Sequence, residues 1–538
     1  MSMEEREHHA PAPTRRSGRI TTRRVAARTG PMLLGAIDIG STAVRMNISE
    51  HVPEQPLRVI EELSHPISTG ADTFRHGHIL PETIHSICGI LNNFLRLLDD
   101  YGVTSRRAVA SSAVREADNR EILVDRIRHY SDLELVVLDA VEESRFVYQA
   151  LLPWLKQQPG AYSLALNLGG GSTEIMILRG EDLQIGGVKR LGASRLFHAA
   201  GQGSNQSRGE ILKNMASSIV GSVAETFREY TISRFFLINR TLYRAFRNDP
   251  DVTARDNDFS IPARQLREHL NKAYSLSPLE IGRKFNMGLA DVELLVPAMM
   301  ILDNFIAAAN VSEVTFTNTE MMNGLLIDMA MEAGGIDPLI SFRQQMVRSA
   351  RAVGEKYFYD RAHARIVTDF SLRLFDALAG LLDLSRRDRL LLELAAVLHD
   401  IGDFVSDIHH HVHSAYLINW SDIVGVNEAD RFIISQIAYF HRLEMPTAQN
   451  PEFMSLSKED RIRVRKLAGI LRAADVLDRG HSQQVKDLRV ELSDDRMILF
   501  LQIAGDLEVI MEALPRKVDL LEQVTGLQAT LRREIPRL

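Results

Sequence analysis

Cysteine is nearly missing from this 538-residue chain, with Cys88 the only one. That excludes a disulfide framework and any multi-cysteine zinc site, and it suits a reducing compartment. Cys88 itself reads as a small core residue. An excess of positive charge is also lacking: 63 basic and 70 acidic side chains leave a formal charge of −7. The chain as a whole is therefore no nucleic-acid coat or polybasic membrane binder, and any polyanion must be met by a local basic patch. Long apolar runs are absent too. The longest, residues 294–309, is broken by Asp303 and Asn304 and falls short of the roughly 18 residues expected of a membrane span. A soluble, cytoplasmic protein without a membrane partner is the expectation. No short-period repeat of the solenoid kind is present.

What is there is enough chain for three or four domains at roughly 150 residues each. Residues 1–30 combine Pro, Ser, Thr and His with seven arginines and no apolar periodicity, which predicts a disordered, solvated basic tail. Its acidic, His-bearing start (Glu4, Glu5, Glu7, His8, His9) argues against a secretory signal. From Leu33 onward, short β-rich runs at 33–39, 107–110, 135–138 and 163–168 alternate with amphipathic stretches such as 84–98. That alternation predicts strands covered by helices. After about Ile336 helical periodicity takes over through about Arg479, which predicts a separate all-α domain. Residues 487–492 and 497–503 then flank the Ser493-Asp494-Asp495 turn, followed by a helical run at 517–524, a small α/β appendix. The expected boundaries are 1–30 for the tail, 31–153 and 154–335 for two α/β lobes, 336–480 for the helical domain and 481–538 for the appendix.

Two predicted strands run into glycine-bearing turns, Asp38-Ile39-Gly40-Ser41-Thr42 and Asn167-Leu168-Gly169-Gly170-Gly171-Ser172-Thr173-Glu174. A strand ending in such a turn aims consecutive N–H groups and hydroxyls outward, a cradle for phosphate oxygens. Three glycines in a row remove the Cβ atoms that would block that approach. The spacing of about 130 residues between the turns suggests two similar lobes.

Four segments together, Ala36-Ile37-Asp38-Ile39-Gly40-Ser41, Ser111-Ser112-Ala113-Val114-Arg115-Glu116-Ala117, Val141-Glu142-Glu143-Ser144-Arg145 and Leu168 to Glu174, resemble in order and spacing the signatures of the exopolyphosphatase/guanosine pentaphosphate phosphohydrolase (Ppx/GppA) family. The resemblance extends over Leu191-Gly192-Ala193-Ser194-Arg195-Leu196, the helical domain and the appendix. It implies two actin-like (ribonuclease H-like) α/β lobes with the site between them, then an all-α domain of HD type and a small C-terminal α/β domain. It implies an enzyme, a magnesium- or manganese-dependent hydrolase that removes terminal phosphate from inorganic polyphosphate or guanosine pentaphosphate. It also implies a homodimer with no specific nucleic-acid partner. Glu143 matches the residue that activates water and Glu174 the acid closing the second phosphate loop. Ser41, Thr42, Arg115, Gly169, Gly170, Gly171, Ser172 and Thr173 match the phosphate contacts, and Asp38 and Asn167 the metal positions. A carboxylate suits the first role, since it takes a proton from a water that it also aims.

Departures from the family pattern cluster at the cleft. Asn167 stands where aspartate is usual and weakens metal binding by losing a charge. Residues 235–242 lack the glycine turn that the family has after a strand, so that backbone cradle is expected to be lost. Met322-Asn323-Gly324 replaces Arg-Glu-Gly. These changes favour one alternative, a polyphosphate- or alarmone-binding regulator with a weakened site.

A second alternative rests on Leu398-His399-Asp400-Ile401-Gly402-Asp403. With His363, His413, His441 and Asp475, this His-Asp pair resembles the metal set of HD-domain phosphohydrolases, and imidazoles with carboxylates on helix faces bind divalent ions. In the run His409-His410-His411-His413, three consecutive histidines cannot face one ion on a helix, and His413 is the expected ligand.

Overall fold

The structure is a computed structural model that describes residues 31–534 apart from 132, 157–159, 200–204, 250–251, 253–257, 443 and 505–507. The tail expected at 1–30 lies outside the described residues. The first sheet has the order β3-β2-β1-β4-β5, from β1 (Met32–Ile39), β2 (Ala43–His51), β3 (Arg58–Pro66), β4 (Ser105–Ala110) and β5 (Leu135–Val137). The second has the order β10-β11-β9-β6-β7-β8. Its strands are β6 (Tyr162–Leu168), β7 (Thr173–Arg179), β8 (Asp182–Lys189), β9 (Ile232–Ile238), β10 (Phe259–Pro262) and β11 (Glu313–Phe316). Each sheet begins as an antiparallel three-strand meander and continues on its other side with parallel strands, the second sheet ending in β10, antiparallel to β11. Parallel pairing requires crossovers through helices, which explains why apolar runs and amphipathic stretches alternate along the first 335 residues.

β1 and β6 lie inside their sheets and are almost wholly buried, so their apolar residues run without alternation until the glycine turn stops each strand. The two turns close alike: Gly40 N–H donates to Ala43 O at 3.0 Å, and Gly169 N–H to Ser172 O at 2.9 Å.

Between the sheets runs the helix Ala140–Leu155, opened by a capping box in which Asp139 accepts from Val141 and Glu142 N–H while Glu142 accepts from Asp139 N–H. It packs on the helix Met321–Ala333, where a Cβ on Gly324 would sit 1.9 Å from Phe146 O. Only glycine fits there. The buried pair Arg145–Asp328 at 2.5 Å ties the same two helices.

The helix Leu289–Ala309 corrects the sequence reading of the apolar run. It starts before that run, and its stretch Asp291–Ala309 is long and apolar enough, by length and composition, to cross a membrane. Val292, Leu295, Met299, Leu302 and Phe305 are nevertheless buried in the core of the second sheet, so burial inside the fold accounts for its composition.

Among the described residues no strand lies between Pro338 and Asp478, a stretch of packed helices. One apolar core joins these helices to the back of the second sheet, through Leu151, Met176 and Phe342, and to the C-terminal sheet. That sheet has the order β12-β13-β14, formed by β12 (Val485–Leu492), β13 (Arg496–Ile503) and β14 (Gln528–Arg533). The fully buried Arg472 donates to the carbonyls of Glu444, Arg516 and Lys517 and to Asp519. It thereby locks the last helices onto the helical region. The expected helix at 517–524 is Asp519–Thr525; the helix Glu508–Lys517 before it and β14 were not anticipated.

Candidate active site

The glycine turns of the two sheets face each other. A Cβ on Gly170 would lie 2.8 Å from Ser41 Cβ, and one on Gly171 would lie 2.5 Å from Ser112 Oγ. Each turn therefore gives the other room only because the second is made of glycine. Between them lies a cavity of about 140 Å³ lined by Asp38, Ser41, Thr42, Glu143, Asn167, Gly169, Gly170, Ser172 and Glu174, all residues expected from the sequence. Ser111, Ser112, Arg45, Asn239, Arg240 and Glu320 are also among its lining residues.

Asp38 and Glu174 occupy opposite strands of equivalent hairpins. Asp38 pairs across its ladder with Arg45, and Asn167 with Glu174. In the first hairpin the side chains form an ion pair, Arg45 Nη1 to Asp38 Oδ2 at 3.5 Å. In the second, Asn167 Nδ2 donates to Glu174 Oε2 at 2.5 Å while Ser172 Oγ donates to Oε1 at 2.9 Å. Glu143 arrives from the first turn of the helix Ala140–Leu155, held through Oε2 by Arg115 Nη1 at 2.6 Å. The same Arg115 nitrogen donates to Leu138 O at 2.7 Å.

Burial dominates the electrostatics. It pushes Asp38 up to about 7, against the pull of Arg45 and with a further push from Glu143. It pushes Glu143 up to about 7, aided by Glu174 and opposed by Arg115. Glu174 is raised as well, again by burial, with Ser172 and Asn167 opposing. Three buried carboxylates thus surround a space with too little positive charge to keep them comfortably ionised. Asp38 Oδ1 and Arg45 Nε are buried without a hydrogen-bond partner.

Three residues expected to contact phosphate do not line this cavity. Thr173 is fully buried and its hydroxyl donates to Leu191 O. Gly171 is packed against Ser112 and Phe74. Arg115 sits behind Glu143 and faces a separate cavity of about 530 Å³. Arg195 braces the second loop by donating to Gly171 O at 2.7 Å and pairing with Glu116. At residues 235–242, where the glycine cradle was expected to be lost, a strand end leads directly into a helix. Asn239 caps the helix Arg240–Arg247 by accepting from Leu242 N–H, donates to Leu168 O at 2.5 Å, and so brings that helix start to the cavity. An Asn after a strand and before a helical run was the available signal.

In the helical region, His363, His399, Asp400 and Asp475 converge, as do Asp400, His410 and His441. His413 is in neither group; the position expected for it is taken by His410. The cause is backbone geometry: His409 has φ 61°, so the helix starts only at His410 and turns that residue inward.

The chain matches the model of the Ppx/GppA phosphatase family over residues 47–333 and that of Ppx/GppA phosphatase domain III over 346–520. Among its relatives is the guanosine-5'-triphosphate,3'-diphosphate pyrophosphatase of Aliivibrio fischeri strain MJ11. It is 22% identical over 449 residues, covering 82% of this chain and 87% of that one. The protein of the same description from Photobacterium profundum is 22% identical over 483 residues, covering 88% and 92%. The crystal structure of an exopolyphosphatase from Cytophaga hutchinsonii superposes with a TM-score of 0.52 at 17% identity, covering 57% of this chain and 99% of that one. That likeness establishes a shared fold, two actin-like lobes, to which a helical region and a small sheet are added here.

Proposed function

The chain belongs to the Ppx/GppA phosphatase family, and we propose that its cleft hydrolyses a terminal phosphoanhydride bond, that of inorganic polyphosphate or of guanosine pentaphosphate. The observation that carries this reading is the placement of Glu143. A buried carboxylate raised to about 7 is fixed through one oxygen by Arg115 and lines the cavity that the two glycine turns enclose. A base near neutrality with a set orientation is what proton removal from an attacking water requires. Water adds to the terminal phosphorus, its proton passes to Glu143, and the bond to the bridging oxygen breaks with the electron pair leaving on the shortened chain. The N–H groups of the Gly40-Ser41 and Gly169-Gly170 turns, with the hydroxyls of Ser41, Thr42 and Ser172, receive the phosphate oxygens.

The residues fit a hard divalent cation. Asp38 has a buried oxygen without a partner, and three raised carboxylates crowd one space. Asp38, with Asn167 and Glu174 beside it, would hold magnesium or manganese, which supplies charge neutralisation on the phosphate. No aromatic ring is among the residues lining this cavity, which suits a phosphate chain end better than a base.

The test is phosphate release from long-chain polyphosphate and from guanosine pentaphosphate with magnesium. Release from at least one is expected, falling by about 10²–10⁴ in Glu143→Gln; no release from either overturns the reading. Asn167 favours a second reading, a binding protein with a lapsed catalyst, since its amide adds no charge and is engaged with Glu174. That reading requires ligand affinity with background turnover.

A further inference from the structure

We propose that the helical region holds a carboxylate-bridged pair of first-row transition-metal dications, at a centre separate from the cleft and independent of its chemistry. The donor atoms form two groups that share one residue. In the first, His363 Nε2 and His399 Nε2 lie 3.3 Å apart. Asp400 Oδ2 is 3.4 and 3.3 Å from them, and Asp475 Oδ1 is 3.6 and 3.8 Å away. In the second, His410 Nε2 and His441 Nε2 lie 3.2 Å apart, with the other oxygen of Asp400, Oδ1, at 3.4 and 3.3 Å. Ligands about 2.0–2.2 Å from one tetrahedral ion are separated by about 3.4 Å, so each group is already spaced to surround an ion. Asp400 presents one oxygen to each.

The protonation of the four rings supports the same assignment from different atoms. His363 Nδ1 faces Asp478 Oδ2 at 2.9 Å, and His399 Nδ1 faces Ala396 O at 2.9 Å. His441 Nδ1 faces Ala438 O, and His410 Nδ1 faces Asp403 Oδ1 at 3.1 Å. A carbonyl or carboxylate opposite Nδ1 fixes the proton there and leaves the lone pair on Nε2. All four Nε2 lone pairs are therefore turned into the same space. Asp400 Oδ1, buried in the middle, has no well-formed hydrogen bond. The second oxygen of Asp475 is held by Lys517 Nζ at 2.7 Å, which leaves Oδ1 for the first ion.

Four imidazoles with two carboxylates suit manganese, iron(II), cobalt or zinc, and suit magnesium poorly. The cleft, lined by oxygen donors, has the opposite preference. His410, at 17% exposure, and Asp403 form the open rim through which ions enter.

The experiment uses the full chain, stripped with chelator, held in excess magnesium to fill the cleft, and titrated with Mn(II) alone. Calorimetry is expected to give two equivalents per chain, and electron paramagnetic resonance a spin-coupled pair. His410→Ala, on the rim, is expected to retain one equivalent and show an uncoupled single-ion spectrum. Asp478→Asn acts through His363 and is expected to keep two equivalents, with affinity lowered by about 10–100-fold. Asp400→Asn is expected to lose both. No Mn(II) binding in magnesium overturns the proposal, and so does a stoichiometry and spectrum unchanged in His410→Ala. Should Asp400→Asn fail to fold, the His410 variant decides by itself.

Discussion

The cleft and the helical cluster both bury carboxylates, and the two places treat them in opposite ways. In the cleft, burial raises Asp38 and Glu143 to about 7 because the nearby guanidiniums, Arg45 and Arg115, offset only part of the desolvation. In the cluster, burial works in the same direction on Asp400 and Asp475. There, with no metal bound, protonated imidazoles at Asp400, and Lys517 with the imidazoles at Asp475, overcome it and hold both well below the ordinary carboxylate range. Burial alone therefore does not set a carboxylate's protonation; the partners that the fold brings to it do. The origins of the partners differ as well. Cleft residues come from strand ends 129 positions apart in two sheets, joined by a helix start. The cluster is built by neighbouring helices of one core.

The largest effect that would sharpen this contrast is Glu143→Gln. Phosphate release should fall by about 10²–10⁴, while Mn(II) stoichiometry in magnesium stays at two. A simultaneous loss of manganese would show that the two places are not separate.

Asn167→Asp tests whether the cleft is already saturated with negative charge. The new carboxylate would replace the amide donor at Glu174 Oε2, and stability in chelator should fall by about 1–3 kcal/mol in denaturant titration. Magnesium should recover most of that loss. Full stability in chelator would mean that the cleft tolerates a further carboxylate.

A third test uses pH. The folded-state values of Asp38 and Glu143, about 7, lie above the ordinary carboxylate range near 4. Their contribution to folding therefore becomes unfavourable as pH rises from about 4 to 7. Magnesium should raise the melting temperature little at pH 5 and more at pH 8. An equal shift at both would remove the carboxylates from the binding site.

The smallest effect concerns Arg115, which lowers Glu143 against burial. The rate profile should show an acid limb near pH 7, with activity rising as Glu143 loses its proton. In Arg115→Gln that limb should move to higher pH, and an unmoved limb would assign the ionisation to another group.

Much of this was legible in the sequence. The mostly apolar runs of β1 and β6 stop at glycine turns, and that pattern, with the family resemblance, pointed to the two turns and the carboxylates that line the cavity. The helical stretch and the first C-terminal hairpin were legible for the same reason, a periodicity that side-chain burial imposes locally. Arg115, Gly171 and Thr173 were placed with the phosphate contacts because they match the family's motifs. Only the packed structure turns Arg115 behind Glu143, Thr173 toward Leu191, and Gly171 against Phe74. His410 was set aside because an unbroken helix would carry it away, an argument that fails at the left-handed His409.

By itself the sequence determined strand ends, turn chemistry and helix periodicity, because each depends on residues within a few positions of one another. The tertiary structure decided which carboxylate lies beside an arginine and which beside an imidazole. It also decided that Asn239 would bring a helix start to the cavity and that Asp400 would stand between two pairs of histidines. Those outcomes depend on desolvation and on contacts between segments up to hundreds of residues apart, and neither quantity exists until the chain has packed.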